Sequence, residues 1–274
     1  MNPEIISIEV FENMGFSPAS IEAAMKAANN NTGAVLDLLI SGSIETPLST
    51  SQELSTLGGW IEQLTILKTS QYSFPNGRSA CTAIATITLA DILRRLDEGE
   101  SPSIIHNETK LSEYLIQGAN EYESVRSYST SQVEHLSVDE FFALTESLWT
   151  NLRAVSSTQA NLKERNALSK LFDSAVVSGD STKHIGIILT KPPETMFVIL
   201  PPSRQPNGIY YLFDSHSRPS LGIDGAYLCS SSNLQDIVER CNLLFPVVDF
   251  DDGESSIMQE DMYNSIEANS FQSF

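Results

Sequence analysis

The sequence predicts an α+β fold, and three observations carry that expectation. A central stretch, about residues 57–248, carries apolar residues at helical spacing in its first half. Its second half instead holds short apolar runs separated by Pro- or Gly-containing turns, the pattern of an antiparallel sheet. A further set of three short amphipathic segments precedes it within residues 3–42, and 274 residues are enough for one medium domain plus a small one. The boundaries expected are a small helical module over 1–43, a linker over 44–56, the main domain over 57–248 and an acidic tail over 249–274.

In the N-terminal module, Ile5, Ile6, Val10 and Phe11 fall at helical spacing and the segment stops at Met14-Gly15-Phe16. Ser17-Pro18 restarts a helix, since Ser caps and Pro at the first helical position loses no hydrogen bond. Its stripe is Ile21, Ala24, Met25 and Ala28. Thr32 caps a third segment with Val35, Leu36, Leu38 and Leu39 apolar, closed by Gly42. Gly15 permits a tight turn that holds Met14 and Phe16 outward, which exposes apolar surface suited to a partner. The Met14-Gly15-Phe16 loop, the Asn30–Val35 stretch and Leu36-Asp37-Leu38-Leu39 together resemble a ubiquitin-associated (UBA) domain. That resemblance implies ubiquitin contact through Met14, Gly15 and Phe16 and through Leu38 and Leu39 at the end of helix three. The following stretch, 43–56, is rich in Ser and Thr with little periodicity, the composition of a linker.

In the main domain, Ile84, Ile87, Leu89, Ile92 and Leu96 form the buried stripe of a helix starting at Cys81. Phe74-Pro75-Asn76-Gly77-Arg78-Ser79-Ala80 is a turn-rich approach with capping residues between Asn76 and Ser79. A thiol in the first helical turn meets the positive end of the helix dipole and free backbone N–H groups. Both favour the thiolate, and the same N–H groups can hold an oxyanion. Strands are expected over 185–190, 196–200, 209–213 and 226–228, then an amphipathic helix from Leu234 to Leu244. Asp214 and His216 end the third strand; two apart on a strand, they share a face, so the carboxylate can accept an imidazole N–H and leave the other nitrogen for Cys81. His106 and His135 are expected on the surface and His184 at a strand end, while Cys229 and Cys241 read as small core residues.

Sixteen Lys and Arg against 35 Asp and Glu give a net charge of −19, which disfavours nucleic acid and anionic membranes and favours basic partners. Three cysteines without paired spacing, and no CxxC or HxxxH, point away from disulfides and zinc; no metal or cofactor is expected. The first residues lack the basic and apolar regions of a secretory signal. No apolar run is long enough to span a membrane, so a cytoplasmic or nuclear monomer is expected. Residues 260–274 carry a weak helical apolar pattern at Met262, Tyr263, Ile266 and Phe271. This matches a ubiquitin-interacting motif poorly, because Ser265 and Asn269 stand where alanine and serine belong, so a solvated acidic tail is expected.

Two motifs carry a second resemblance: Asn76-Gly77-Arg78-Ser79-Ala80-Cys81-Thr82-Ala83-Ile84-Ala85, and the Asp214-x-His216 pair after Ile209–Phe213 and before Ser217-Arg218-Pro219. Together they resemble the viral tegument-like deubiquitinases, cysteine proteases named after the herpesvirus large tegument protein, over about 64–247. The resemblance implies a papain-like fold and a thiol-dependent hydrolase acting on ubiquitin or polyubiquitin. Cys81 would be the nucleophile, His216 the base, Asp214 its orienter and Gln71 an oxyanion donor, a role for which the backbone of 79–81 competes. The helical stretch 100–175 has no counterpart in that resemblance. Alternatives are a protease for another ubiquitin-like modifier of the ubiquitin-fold-modifier or autophagy type, a non-catalytic ubiquitin-binding adaptor, and an acyl transferase or transglutaminase using the same Cys–His–Asp set.

Overall fold

A computed structural model describes residues 25–26, 62–128, 135–145, 152–205, 207–248 and 260–274. The UBA-like motif residues Met14, Gly15, Phe16, Leu38 and Leu39, and the linker, lie outside the described residues. The chain divides into two units, Met1–Gly59 with Arg218–Asp224, and Trp60–Ser217 with Gly225–Phe274. In the first, Met25 and Lys26 are helical, and Arg218 and Ile223 form an isolated antiparallel bridge.

The second unit is a mixed helix and antiparallel-sheet body, the α+β class expected. Its strands are β1 (Gln63–Ile66), β2 (Leu152–Asn161), β3 (Ile185–Lys191), β4 (Glu194–Leu200), β5 (Tyr210–Asp214), β6 (Tyr227–Ser231) and β7 (Ser265–Ser273). They form one sheet in the order β1-β6-β5-β4-β3-β7-β2, each neighbouring pair antiparallel. The helices are α1 (Cys81–Asp97), α2 (Pro102–Ile105), α3 (Glu108–Tyr128), α4 (Val138–Leu144), α5 (Ala167–Ser178) and α6 (Leu234–Leu244).

α1 lies across one face of the sheet because its apolar stripe meets a matching one. Ala83, Ile84, Ile87, Leu89 and Leu93 join Ile188, Phe197, Ile199, Tyr211, Phe213 and Leu228 in a single buried cluster. Each such large side chain contributes about 1.5–3 kcal/mol on full burial. α3 packs closely on α1: a Cβ at Gly118 would come within 2.5 Å of Ile84 Cα, so only glycine fits that crossing. α4 begins with a capping box in which Ser137 and Glu140 satisfy each other's backbone N–H groups, and its Phe142 stacks on Phe271 at 4.9 Å. On the other face, α5 packs against β2 and β3, and α6 against β5 and β6. Alternation along the strands follows: Leu212 and Asp214 of β5, with Tyr227 and Cys229 of β6, project toward the α6 side.

Two expectations are corrected. Residues 265–273 are no solvated tail but a strand lying between β3 and β2. Its buried amide side chain is paired within the fold, although the Ser270 hydroxyl is buried without a partner among the described residues: Gln272 accepts from Asp180 N (2.9 Å) and Arg153 Nη2 (3.0 Å) and donates to the Asp180 carbonyl (2.9 Å). Burial of a polar strand is tolerable because each amide group finds a partner. The stretch 100–175 is likewise not wholly helical, since β2 runs through it and pairs with β7 along its length.

Candidate functional site

The chain reaches the site through a strap that follows β1. Leu67 N–H donates to the Ala226 carbonyl (2.8 Å), and Ala226 N–H donates to Thr69 (2.9 Å). A short helical turn at Gln71–Ser73 follows, then Asn76 in the left-handed region at φ 57° and a second turn at Gly77–Ser79. Gly77 is required by close approach: a Cβ there would sit 1.8 Å from the Gln71 carbonyl oxygen. Asn76 Nδ2 donates to Glu123 of α3 at 2.6 Å, and Arg126 donates to Asn76 Oδ1 at 3.3 Å. The expected side-chain cap between Asn76 and Ser79 is absent; Ala80 takes the cap position and Cys81 is the first residue of α1.

Cys81 is therefore in the first turn, where backbone N–H groups have no intrahelical acceptor. It is 1% exposed, and its Sγ donates to the Pro193 carbonyl at 3.6 Å in the β3–β4 turn. Thr195 stands beside it, linked to Thr82 (3.2 Å) and Thr190 (3.3 Å). Burial by itself pushes the thiol pKa up. Hydrogen bonds from His135, His216 and Thr195 and the charge of His216 outweigh that and bring it down to about 6.

His216 lies just past the end of β5 and is 2% exposed. Asp214 Oδ1 accepts both the His216 backbone N–H (3.0 Å) and the ring Nδ1–H (2.6 Å). The pair is thus joined by an Asx-type turn at the strand end, not by two residues sharing a strand face as expected. This turn assigns the proton to Nδ1 and leaves Nε2 for the thiol. Burial opposes charging the ring, but the Asp214 carboxylate, its hydrogen bond, the Cys81 contact and Glu194 raise the His216 pKa well above its ordinary value. Each group favours the charged form of the other, the thiol being lowered and the imidazole raised. Tyr72 flanks this ring at 5.8 Å between centroids.

Gln71 is fully buried and ties the two halves together. Its N–H donates to the Ser215 carbonyl (2.9 Å), its Oε1 accepts from Ser215 Oγ (2.6 Å), and its Nε2 donates to the Arg78 carbonyl (3.3 Å). An amide nitrogen carries two hydrogens, so Gln71 Nε2 is a candidate second donor for an oxyanion formed at Cys81.

All four residues expected at the site, Gln71, Cys81, Asp214 and His216, are thus brought into one neighbourhood by direct contacts or by the groups they share. His135 was expected on the surface; it is exposed, yet its ring acts on the Cys81 thiol. Nothing in the local sequence signals this, because the two residues lie far apart along the chain. His106 was also expected on the surface but is buried at 7% exposure, bridging Thr65 (3.0 Å) and Ser230 (3.1 Å). Burial pushes its pKa down to about 4. His184 does occupy a strand end, bonded to Asp97 at 2.8 Å. Cys229 and Cys241 are buried core thiols, Cys229 pushed up to about 12 chiefly by burial and Cys241 pushed up further.

Among the described residues no group of His, Cys, Asp and Glu is arranged to hold a metal ion, and no helix is long and apolar enough to cross a membrane. No protein-family model matches the chain, and no curated protein matches it.

Proposed function

We propose that the chain is a cysteine-type deubiquitinase, a papain-like protease domain hydrolysing the isopeptide or peptide bond at ubiquitin's C-terminal glycine. A UBA domain would precede it and supply a second ubiquitin contact through Met14, Gly15, Phe16, Leu38 and Leu39. The observation that carries this reading is the meeting of a lowered thiol at a helix N-terminus with an imidazole held by a carboxylate, in the chain order Gln71, Cys81, Asp214, His216. The net charge of −19 adds support, being complementary to a basic partner.

In this mechanism the Cys81 thiolate attacks the glycine carbonyl carbon, and the oxyanion faces Gln71 Nε2 and the Cys81 backbone N–H. The His216 imidazolium gives its Nε2 proton to the departing lysine amine, leaving a thioester on Cys81. Water then attacks the thioester as His216 takes its proton, and the carboxylate leaves with the thiolate restored. Asp214 holds the ring and its charge throughout. A tethered second ubiquitin site raises the effective concentration of a neighbouring ubiquitin, so chains are better substrates than a single unit.

The test is reaction with a ubiquitin carrying a C-terminal electrophile, beside Cys81→Ala and His216→Ala. A mass gain of one ubiquitin, lost in Cys81→Ala, supports both the nucleophile and the modifier. Labelling only by a probe built on another ubiquitin-like modifier would move the substrate assignment to that modifier. No adduct with any probe would leave a binding role through the N-terminal module. Deleting residues 1–43 should weaken cleavage of long chains while sparing a minimal fluorogenic ubiquitin substrate; equal loss on both would remove the case for a second contact.

A further inference from the structure

Arg240 is the residue whose place the reaction above does not explain. It lies on α6, is 4% exposed, and its Nε and Nη2 have no hydrogen-bond partner among the described residues. A guanidinium cannot shed its proton, so this is a permanent charge in the interior, where an unpaired charge is costly. Its central carbon stands 5.3 Å from the centroid of the Tyr227 ring, a cation–π contact. Tyr227 is the cross-strand partner of Asp214 in the β5–β6 register, so the two side chains lie on the same face of the sheet. Asp214 is fully buried there. Both charges act on the buried Cys229 thiol, Arg240 pulling its pKa down and Asp214 pushing it up.

We propose that Arg240 is a positioning residue for the candidate site: its fixed positive charge, held against the Tyr227 ring, keeps the Asp214 carboxylate ionised and directed at His216. The inference rests on the reading of Cys81 and His216 as a reactive pair. The other titratable groups around Arg240 are poor candidates for this role. On α6, Asp236 is engaged by Ser231 (2.6 Å) and Asn233 (3.0 Å), Glu239 is exposed, and Cys241 is buried with a raised pKa. From the packed elements come Tyr210 and Asp214 of β5, Tyr227 and Cys229 of β6, and the exposed Lys170 and Asp173 of α5. Glu194, beyond the sheet face, acts on His216 directly. A carboxylate held ionised raises His216, whereas bare positive charge behind the sheet would lower it; the two effects have opposite signs at the imidazole.

The experiment is the pH dependence of Cys81 alkylation by iodoacetate, mapped to Cys81 by mass spectrometry, in the full chain and in Arg240→Met, Arg240→Gln and Arg240→Lys. The rate rises as the thiolate forms and falls as the neighbouring imidazolium, which attracts the anionic reagent, is lost. If Arg240 holds Asp214, removing its charge narrows this window from both sides, by about one pH unit at each limb, and Arg240→Lys restores it. Both limbs moving upward together, or no movement in a folded Met or Gln variant, would overturn the proposal. Should Arg240→Met fail to fold, the Gln and Lys variants decide it, and equal profiles for those two would overturn it. A wild-type chain whose Cys81 titrates like an ordinary thiol would instead fail the reactive-pair reading, and the inference would fall with it.

Discussion

The Ser215 hydroxyl donates a 2.6 Å hydrogen bond to Oε1 of Gln71, while the Gln71 backbone N–H donates to the Ser215 carbonyl at 2.9 Å. Ser215 lies between Asp214 and His216, so this double link fastens the approach to the nucleophile directly to the turn that carries the base. It also decides which way the Gln71 amide faces: with the oxygen occupied by Ser215, the nitrogen is turned toward Arg78 and α1.

An oxyanion donor held in this way should matter to turnover beyond the stability lost with its buried hydrogen bonds, so rates are compared for folded protein. Gln71→Ala should lower kcat/KM on a ubiquitin substrate by about 10²–10³, or roughly 3–4 kcal/mol of transition-state stabilisation. Ser215→Ala removes only the hydrogen bond that aims the amide and should cost about 1 kcal/mol, roughly fivefold. Steady-state kinetics on a fluorogenic ubiquitin decides it. Unchanged turnover in Gln71→Ala would assign the oxyanion to the Cys81 backbone N–H alone.

The thiol of Cys81, lowered to about 6, should be fully reactive at neutral pH and lose reactivity about tenfold per pH unit below 6. His216→Ala removes both a charge and a hydrogen bond, so the half-point of alkylation should move up toward the ordinary thiol range. His135→Gln removes a hydrogen bond alone and should shift it upward by less. Iodoacetamide rates across pH 4–10, roughly the span that brackets both groups, provide the check. A His135→Gln profile superimposable on wild type would exclude His135 from the site.

Acid should destabilise the fold through His106. Its folded pKa of about 4 lies below the 6.5 of the free side chain, so above 6.5 both states are neutral and its contribution is fully present. As pH falls from 6.5 toward 4 the unfolded chain takes up the proton first, and stability drops by roughly 1–2 kcal/mol after allowing for solvent screening. Urea unfolding at pH 7 and pH 5 measures this change. His106→Gln should flatten that part of the slope, and an unaltered slope would locate the proton uptake elsewhere.

Strand β7 separates β3 from β2, so its removal is not a surface edit. Deleting residues 265–274 strips β2 of the strand it pairs with and breaks the bonds from Gln272 to Arg153 and Asp180. Two newly open strand edges should then cost the domain its cooperative thermal transition. A truncated chain melting cooperatively within a few degrees of the full one would show that β7 is dispensable.

The parts of the fold legible in the sequence are those governed by short-range pattern. A helix opening at Cys81 follows from a turn-rich approach and a 3.6-residue apolar stripe, and it runs to Asp97. Leu234–Leu244 is found at the bounds its stripe implies. Strands β3 to β6 lie within one to three residues of their expected limits at each end, because apolar runs between Gly and Pro leave few other assignments. Asp-x-His was legible as a pair because it is local in sequence, although a turn at the strand end joins it in place of the shared strand face expected.

What required the tertiary structure is everything decided by a partner distant along the chain. Ser265–Ser273 looks like a solvated tail because its residues are polar and acidic; only Asp180 and Arg153, some hundred positions away, make burial of Gln272 affordable. His106 is buried because Thr65 and Ser230 meet both ring nitrogens, and the influence of His135 on the Cys81 thiol comes from a residue far along the chain. Side-chain polarity sets the cost of leaving water, a property of the residue itself. Whether that cost is met depends on which hydrogen-bonding groups the fold brings opposite, and no local pattern encodes that.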